Sequence, residues 1–149
     1  MKKNFLLSIA LLVSAFVSAQ PAPGSFKQTW KVGPDWLRNG VIYQVYPSSY
    51  KDSDGNGIGD IQGVISKLDY IESLGVSAIW FNPLFVSGWI DGGYDVIDFY
   101  RVDPRFGTNN DLVELIRKAH DKGIKVMLDL VAGHTSDKHP WFLQSAQDS

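Results

Sequence analysis

The sequence predicts an α/β fold: the N-terminal part, about three β/α units, of a (β/α)8 TIM barrel. Three observations lead there. β-Branched and aromatic runs alternate with stretches of helical apolar spacing in the order β-α-β-loop-α-β, which implies parallel strands joined by right-handed crossovers. The glycines after the first run are interleaved with acids and miss the G-x-G-x-x-G pattern, which counts against a doubly wound dinucleotide-binding sheet. A complete barrel takes eight strands and about 250 residues. The 149 residues here supply three strands, so the chain is expected to be truncated within the barrel.

Residues 1–19 stand apart from this pattern. Lys2 and Lys3 form a charged start, Phe5 to Val17 an apolar stretch, and Val17-Ser-Ala19 a small-residue cleavage site, the three parts of a signal peptide cut after Ala19. The apolar stretch is too short for a stable membrane span. The protein is therefore expected to be secreted or periplasmic, with no membrane anchor after signal removal. Residues 20–40 contain three prolines and read as a linker and N-terminal arm, packed onto the domain through Trp30 and Trp36.

Residues 41–149 carry the barrel pattern. Val41-Ile-Tyr-Gln-Val-Tyr46 reads as a strand that Pro47 ends. Asp60 falls at an N-cap, before a helical face of Ile61, Val64, Ile65, Leu68, Ile71 and Leu74, with Gly75 at C′. Val76 to Phe81 is a second strand, apolar enough to be buried on both faces. A long loop is expected from Asn82 to about Gly107. Thr108-Asn-Asn-Asp111 resembles a capping box with Asp in place of Glu. It opens a helix with Leu112, Leu115, Ile116 and Ala119 on one face, stopped by Gly123. Ile124 to Val131 is the third strand.

Composition narrows the function. Hydrophobic residues at 44% and aromatics at 13% suffice for a packed core. Without Lys2 and Lys3 the basic residues fall to 12 against 16 acidic ones, a mature charge of −4. With no basic run, nucleic acid and anionic membranes are poor partners. The absence of cysteine excludes disulfides, thiol catalysis and Cys-based zinc sites.

The first strand leads into Asp52-Ser-Asp-Gly-Asn-Gly-Ile-Gly-Asp60. Oxygen-bearing side chains fall at alternate positions, Asp52, Asp54, Asn56 and Asp60, with the Ile58 backbone carbonyl between the last two. Hard cations such as Ca2+ take six to eight oxygens at about 2.3–2.6 Å. Gly55, Gly57 and Gly59 are expected to supply the positive φ values that wrapping an ion needs. An EF-hand would place a bidentate Glu at its twelfth position, and that position here is Gly63. The metal site is thus a short loop of its own kind.

In a barrel, chemistry sits at the carboxyl ends of the strands. The loop after the second strand carries Gly92-Gly-Tyr-Asp95. Tyr94 suits stacking on a sugar ring and Asp95 suits accepting from sugar hydroxyls; a loop held by its own aromatic packing explains the same spacing. At the end of the third strand, Asp129 is a lone carboxylate and His134 a possible hydroxyl donor, or a plain surface or core histidine. His120 is placed to complement a helix C-terminus, and His139 has no partner motif.

Tyr43-Gln-Val-Tyr-Pro47, Asp52 to Asp60, Gly93-Tyr-Asp-Val96, Phe106-Gly-Thr108 and Asp129-Leu-Val-Ala-Gly-His134 together resemble the α-amylase superfamily, glycoside hydrolase family 13. The similarity runs from residue 41 to about 142. It is nearest to the α-glucosidase and oligo-1,6-glucosidase branch, which shares the stretch from His134 to Phe142. The resemblance implies a retaining glycosidase acting on an α-glucan or oligosaccharide substrate. It implies a structural Ca2+ held by Asp52, Asp54, Asn56, Ile58 and Asp60, and substrate binding by Tyr94, Asp95 and His134. Asp129 would be a supporting residue only. The nucleophile, the acid and a third carboxylate lie on later strands in the family, so the chain alone is expected to be inactive, ending at the start of the domain B insertion. Gly133 stands where the family has Asn, which puts a second calcium site in doubt; Ser48 replaces the usual Arg or Asp, with no functional reading. The alternative is a non-catalytic, calcium-dependent carbohydrate-binding module.

Overall fold

The computed structural model describes residues 33–147. The signal peptide expected at 1–19, the arm as far as residue 32 and Trp30 lie outside the described residues. Asp35–Arg38 forms one helical turn, α1, where an irregular lead-in was expected. Gly40 follows because a Cβ there would stand 2.1 Å from the Trp36 carbonyl oxygen and 2.3 Å from Ser77 Oγ.

Strand β1, Ile42–Val45, ends where Pro47 opens the single turn α2, Pro47–Tyr50. Asp60 caps the next helix as expected, its Oδ1 accepting from the Gly63 N–H at 2.6 Å. The predicted continuous helix is divided into α3, Ile61–Ile65, and α4, Leu68–Ser73. At the break the Ser66 hydroxyl donates to the Gly63 carbonyl at 2.6 Å, and the Lys67 N–H reaches back three residues to Val64. These tighter bonds replace the α ladder for one turn. The apolar face survives the break, since Ile61, Val64, Leu68 and Ile71 are all buried. Leu74 is not part of it, being 46% exposed. Gly75 takes φ +71, the left-handed exit that favours glycine.

Strand β2 is Ala78–Phe81, with Ala78, Ile79 and Phe81 buried. The segment expected to be a plain loop from Asn82 to Gly107 holds an antiparallel pair, β3 (Phe85–Ser87) and β4 (Val96–Val102). Its register shifts twice in three residues, so no clean alternation marks it in the sequence. The capping box is present. Thr108 Oγ1 accepts from the Asp111 N–H at 3.2 Å and Asp111 Oδ2 accepts from the Thr108 N–H at 2.7 Å. It opens α5, Asn109–Asp121, which buries Leu115 and Ala119. Strand β5, Lys125–Leu128, is shorter than the predicted 124–131, although the Asp129 N–H still bonds the Phe81 carbonyl at 3.1 Å. A last helix, α6 (Pro140–Gln147), was not expected.

The sheet is parallel in the order β1-β2-β5, with Tyr43, Ile79 and Val126 in one row and Val45, Phe81 and Leu128 in another. Both rows pack against the helices through a core that includes Val64, Leu68, Ile71, Leu115 and Ala119. Truncating Phe81 in such a core costs about 3–5 kcal/mol. Gln44, Trp80 and Met127 form the intervening row, which by the twofold period of strands lies on the other face. Among the described residues the sheet has three strands and does not close. No helix among them is long and apolar enough to cross a membrane.

Candidate functional site

Between α2 and α3 the acidic loop folds on its own carboxylates. Asp52 Oδ1 accepts from the Gly55 N–H at 2.7 Å and its Oδ2 from the Gly57 N–H at 2.8 Å. Asp54 accepts from the Asn56 N–H, and Asn56 Oδ1 from the Ile58 N–H at 2.8 Å. Asp60 closes the loop, taking the Ser53 N–H at 2.8 Å and the Ser53 hydroxyl at 2.9 Å on Oδ2. Gly55 and Gly57 have φ +82 and +91, as wrapping requires. Gly59 does not; its role is close approach, because a Cβ would stand 2.1 Å from the Pro47 carbonyl oxygen. The Ile58 side chain packs against the core.

The loop brings together ligand atoms of Asp52, Asp54 and Asp60, all within 4.8 Å of one another. Oxygens that share one Ca2+ ion stand at most about 4.6–5.2 Å apart, a limit that these atoms meet. The N–H groups of Gly57 and Gly55 hold the Asp52 carboxyl below the usual carboxylate range. For Asp60, burial pushes upward, but the donors on Ser53 and Gly63 outweigh it and the carboxyl is also lowered. Both are therefore charged at neutral pH, as a cation needs.

At the carboxyl ends of the parallel strands a second cluster forms. The Tyr94 hydroxyl donates to Asp129 Oδ2 at 2.7 Å and accepts from Asn82 Nδ2 at 3.2 Å. Asn82 Oδ1 in turn accepts from Gln44 Nε2 at 3.0 Å. The Asp129 carboxylate pushes the Tyr94 phenol pKa up, keeping its proton in place. His134 Nε2 lies 3.1 Å from the Tyr94 carbonyl oxygen. As that oxygen only accepts, Nε2 carries the proton. Tyr94, Asp129 and His134 are thus brought together. Gln44 and Asn82 were missed, though a polar residue inside an apolar strand and another directly after one were the available signals.

Asp95 is 9% exposed, and its environment is one-sided. Oδ1 accepts from the Ile90 N–H at 3.3 Å, whereas Oδ2 is buried and accepts no hydrogen bond within the described residues. Burial raises this carboxyl, yet backbone donors led by Ile90, together with a hydrogen bond to the Asp91 carboxyl, bring it below the usual range. A charged oxygen without a donor is costly.

The loop behind Asp95 is fastened by Asp103, itself 5% exposed. Asp103 takes the Trp89 indole N–H at 2.9 Å, the Arg105 N–H at 3.0 Å and Arg105 Nε–H at 3.1 Å. Gly133 needs no glycine on packing grounds, since a Cβ there meets nothing within 4 Å. His120 lies with Lys118 in the last turn of α5, where positive charge suits the dipole. His139 proves to be buried. Its Nδ1 accepts from the Trp141 N–H at 3.1 Å while its carbonyl accepts from Leu143, so it caps α6.

The family model described as Alpha amylase, catalytic domain matches residues 44–149. Over 111 residues the chain is 47% identical to the oligo-1,6-glucosidase of Heyndrickxia coagulans and 53% identical to a probable alpha-glucosidase of Rhizobium meliloti. Each match covers 74% of this chain and 20% of the relative. The crystal structure of the trehalose-6-phosphate hydrolase of Bacillus licheniformis superposes with a TM-score of 0.74 at 48% identity, over 76% of this chain and 20% of that one. The chain spans about one fifth of the length of the curated relatives it matches.

Proposed function

This chain belongs to the alpha-amylase catalytic-domain family, and from that premise we propose that it builds the first part of the barrel of an exported glycosidase that cleaves α-linked glucosides with retention. The observation that carries the reading is the hydrogen-bonded group of Tyr94, Asp129 and His134 at the carboxyl ends of the strands, with the buried Asp95 carboxylate next in the chain. In this reading Tyr94 offers its ring to the sugar whose bond is cleaved, Asp95 accepts from that sugar's hydroxyls, and His134 contacts its primary-hydroxyl side. Asp129 supports Tyr94 and does not itself act as acid or nucleophile. A retaining mechanism needs two carboxyl groups about 5–5.5 Å apart across the scissile bond; we assign neither to this chain, which alone turns over nothing.

Ca2+ is assigned to the loop of Asp52, Asp54, Asn56, Asp60 and the Ile58 carbonyl. The carboxylate oxygens of Asp52, Asp54 and Asp60, all within 4.8 Å of one another, support this. When bound, the ion neutralises the loop's carboxylates and ties α2 to the start of α3. Asp60 orients the loop from the other side through its bond to Gly63.

Hydrolysis of maltose, isomaltose and trehalose 6-phosphate by the complete protein tests the reading. Turnover of at least one is expected. Asp95→Asn should lower kcat/KM by about 10–100-fold, the loss of a hydrogen bond to a charged group. No turnover of any α-glucoside by the complete protein, or an unaffected Asp95→Asn enzyme, would overturn it.

A further inference from the structure

Trp89 is the one non-glycine among the described residues with positive φ, at 57°. That conformation is unfavourable for a bulky side chain and persists where the surroundings enforce it. Four contacts do so here. The Trp89 N–H donates to Ser87 Oγ at 3.1 Å and its indole N–H to Asp103 Oδ2 at 2.9 Å. The Arg105 guanidinium covers the ring face, 3.9 Å from the centroid, and Phe106 meets it edge-on at 5.4 Å.

The enforced turn faces Asp95. The residue after Trp89 supplies the N–H that engages Asp95 Oδ1, and the residue before it donates from Gly88 to the Asp95 carbonyl at 3.2 Å. Gly88 lies so close that a Cβ would stand 2.4 Å from Asp95 Oδ2. The far edge of the indole also lies 3.5 Å from where a Gly93 Cβ would sit, directly before Tyr94.

We propose that Trp89 is a positioning residue for Asp95: held by Ser87, Asp103 and Arg105, it turns the 88–90 backbone so that the Ile90 N–H holds Oδ1 and Gly88 stands against Oδ2, which fixes the orientation of the carboxylate. The inference rests on the reading of Asp95 as a sugar-binding carboxylate. Trp89 touches no substrate. It acts through the Ile90 N–H, which a Trp89 freed from Asp103 no longer aims.

The test is a double-mutant cycle in the complete protein, with kcat and KM for maltose and the thermal midpoint measured for each variant. Trp89→Phe keeps a ring under Arg105 but removes the donor to Asp103. It should raise KM about 5-fold, the worth of one ordinary hydrogen bond, with kcat within about 2-fold. In an Asp95→Asn background the same change should leave KM where it is, because its route is already cut. Ser87→Ala, which removes the acceptor of the Trp89 N–H, should show the same non-additivity and serves if Trp89→Phe does not fold. Additive KM penalties, or an unchanged KM with only a lower thermal midpoint, would overturn the proposal. If Asp95→Asn leaves KM and kcat unchanged, the sugar-binding reading falls and this one with it. If Asp95→Asn is severe while Trp89→Phe is additive, only the positioning role falls.

Discussion

Replacing Asp60 by alanine removes two supports at once. Its Oδ1 holds the Gly63 N–H at 2.6 Å, and its Oδ2 holds the N–H and hydroxyl of Ser53 at 2.8 and 2.9 Å. Loss of an N-cap costs about 0.5–2 kcal/mol, and each further hydrogen bond about 0.5–1.5 kcal/mol net. Asp60→Ala should therefore destabilise by about 2–4 kcal/mol without any metal. Asp60→Asn keeps a competent cap and should lose much less. Urea unfolding of the complete protein in a chelator, then with added Ca2+, separates the two supports. At a hundredfold excess over Kd, Ca2+ should add about 2.7 kcal/mol to the wild type and little to either variant. Folding lowers the Asp60 carboxyl, so its contribution is fully present above the unfolded pKa of about 4 and lost as pH falls through the lower folded value. The acid limb of stability should flatten in Asp60→Asn. An Asp60→Ala protein as stable as wild type in chelator would refute the capping argument, and equal Ca2+ stabilisation of all three would refute the metal assignment.

Other expectations rest on single contacts. Tyr94→Phe removes the hydroxyl that joins Asp129 to Asn82 and should reduce kcat/KM by about 10–100-fold in the complete protein, with activity near wild type counting against any role for that bond. Gly59→Ala should cost about 3 kcal/mol by forcing a Cβ onto the Pro47 carbonyl, whereas Gly55→Ala, which meets open space, should cost about 1–2 kcal/mol through its φ alone; equal losses in urea unfolding would contradict this division. The 149-residue chain purified alone should show no maltose turnover and should aggregate, because β1 and β5 each offer an edge unpaired within the described residues. A monodisperse, cooperatively melting preparation on a sizing column would argue otherwise.

What was legible depended on whether the physics is local. The Asp60 cap and the Thr108–Asp111 box are set by residues three apart, and both are present. Strands β1, β2 and β5 read through because β-branched residues fill rows that pack on helices. The antiparallel pair did not, since Val86 pairs with Asp98 and Ser87 with Val96 only across register shifts. The break between α3 and α4 was invisible because it rests on one serine hydroxyl and leaves the buried face intact. At the site, motif residues were found, and the groups that hold them were not. Asp103, Trp89, Asn82 and Gln44 act across separations in sequence that no spacing rule reaches. His139 looked isolated because its partner is the backbone of its own next turn.

Tyr94 is gripped at both ends by one short stretch of chain. Asp129 takes its phenol and His134 its carbonyl oxygen, so ring and backbone are tied to the same β5 exit. A tyrosine free on a surface loop must give up rotamer entropy when a ligand lies on it, about 0.5–1.5 kcal/mol for an immobilised side chain. Here that freedom is surrendered during folding, before any ligand arrives. Under the proposed role of Tyr94, a sugar ring settling on it would meet a preorganised surface, and the affinity that stacking supplies would not be diminished by the ordering of its platform.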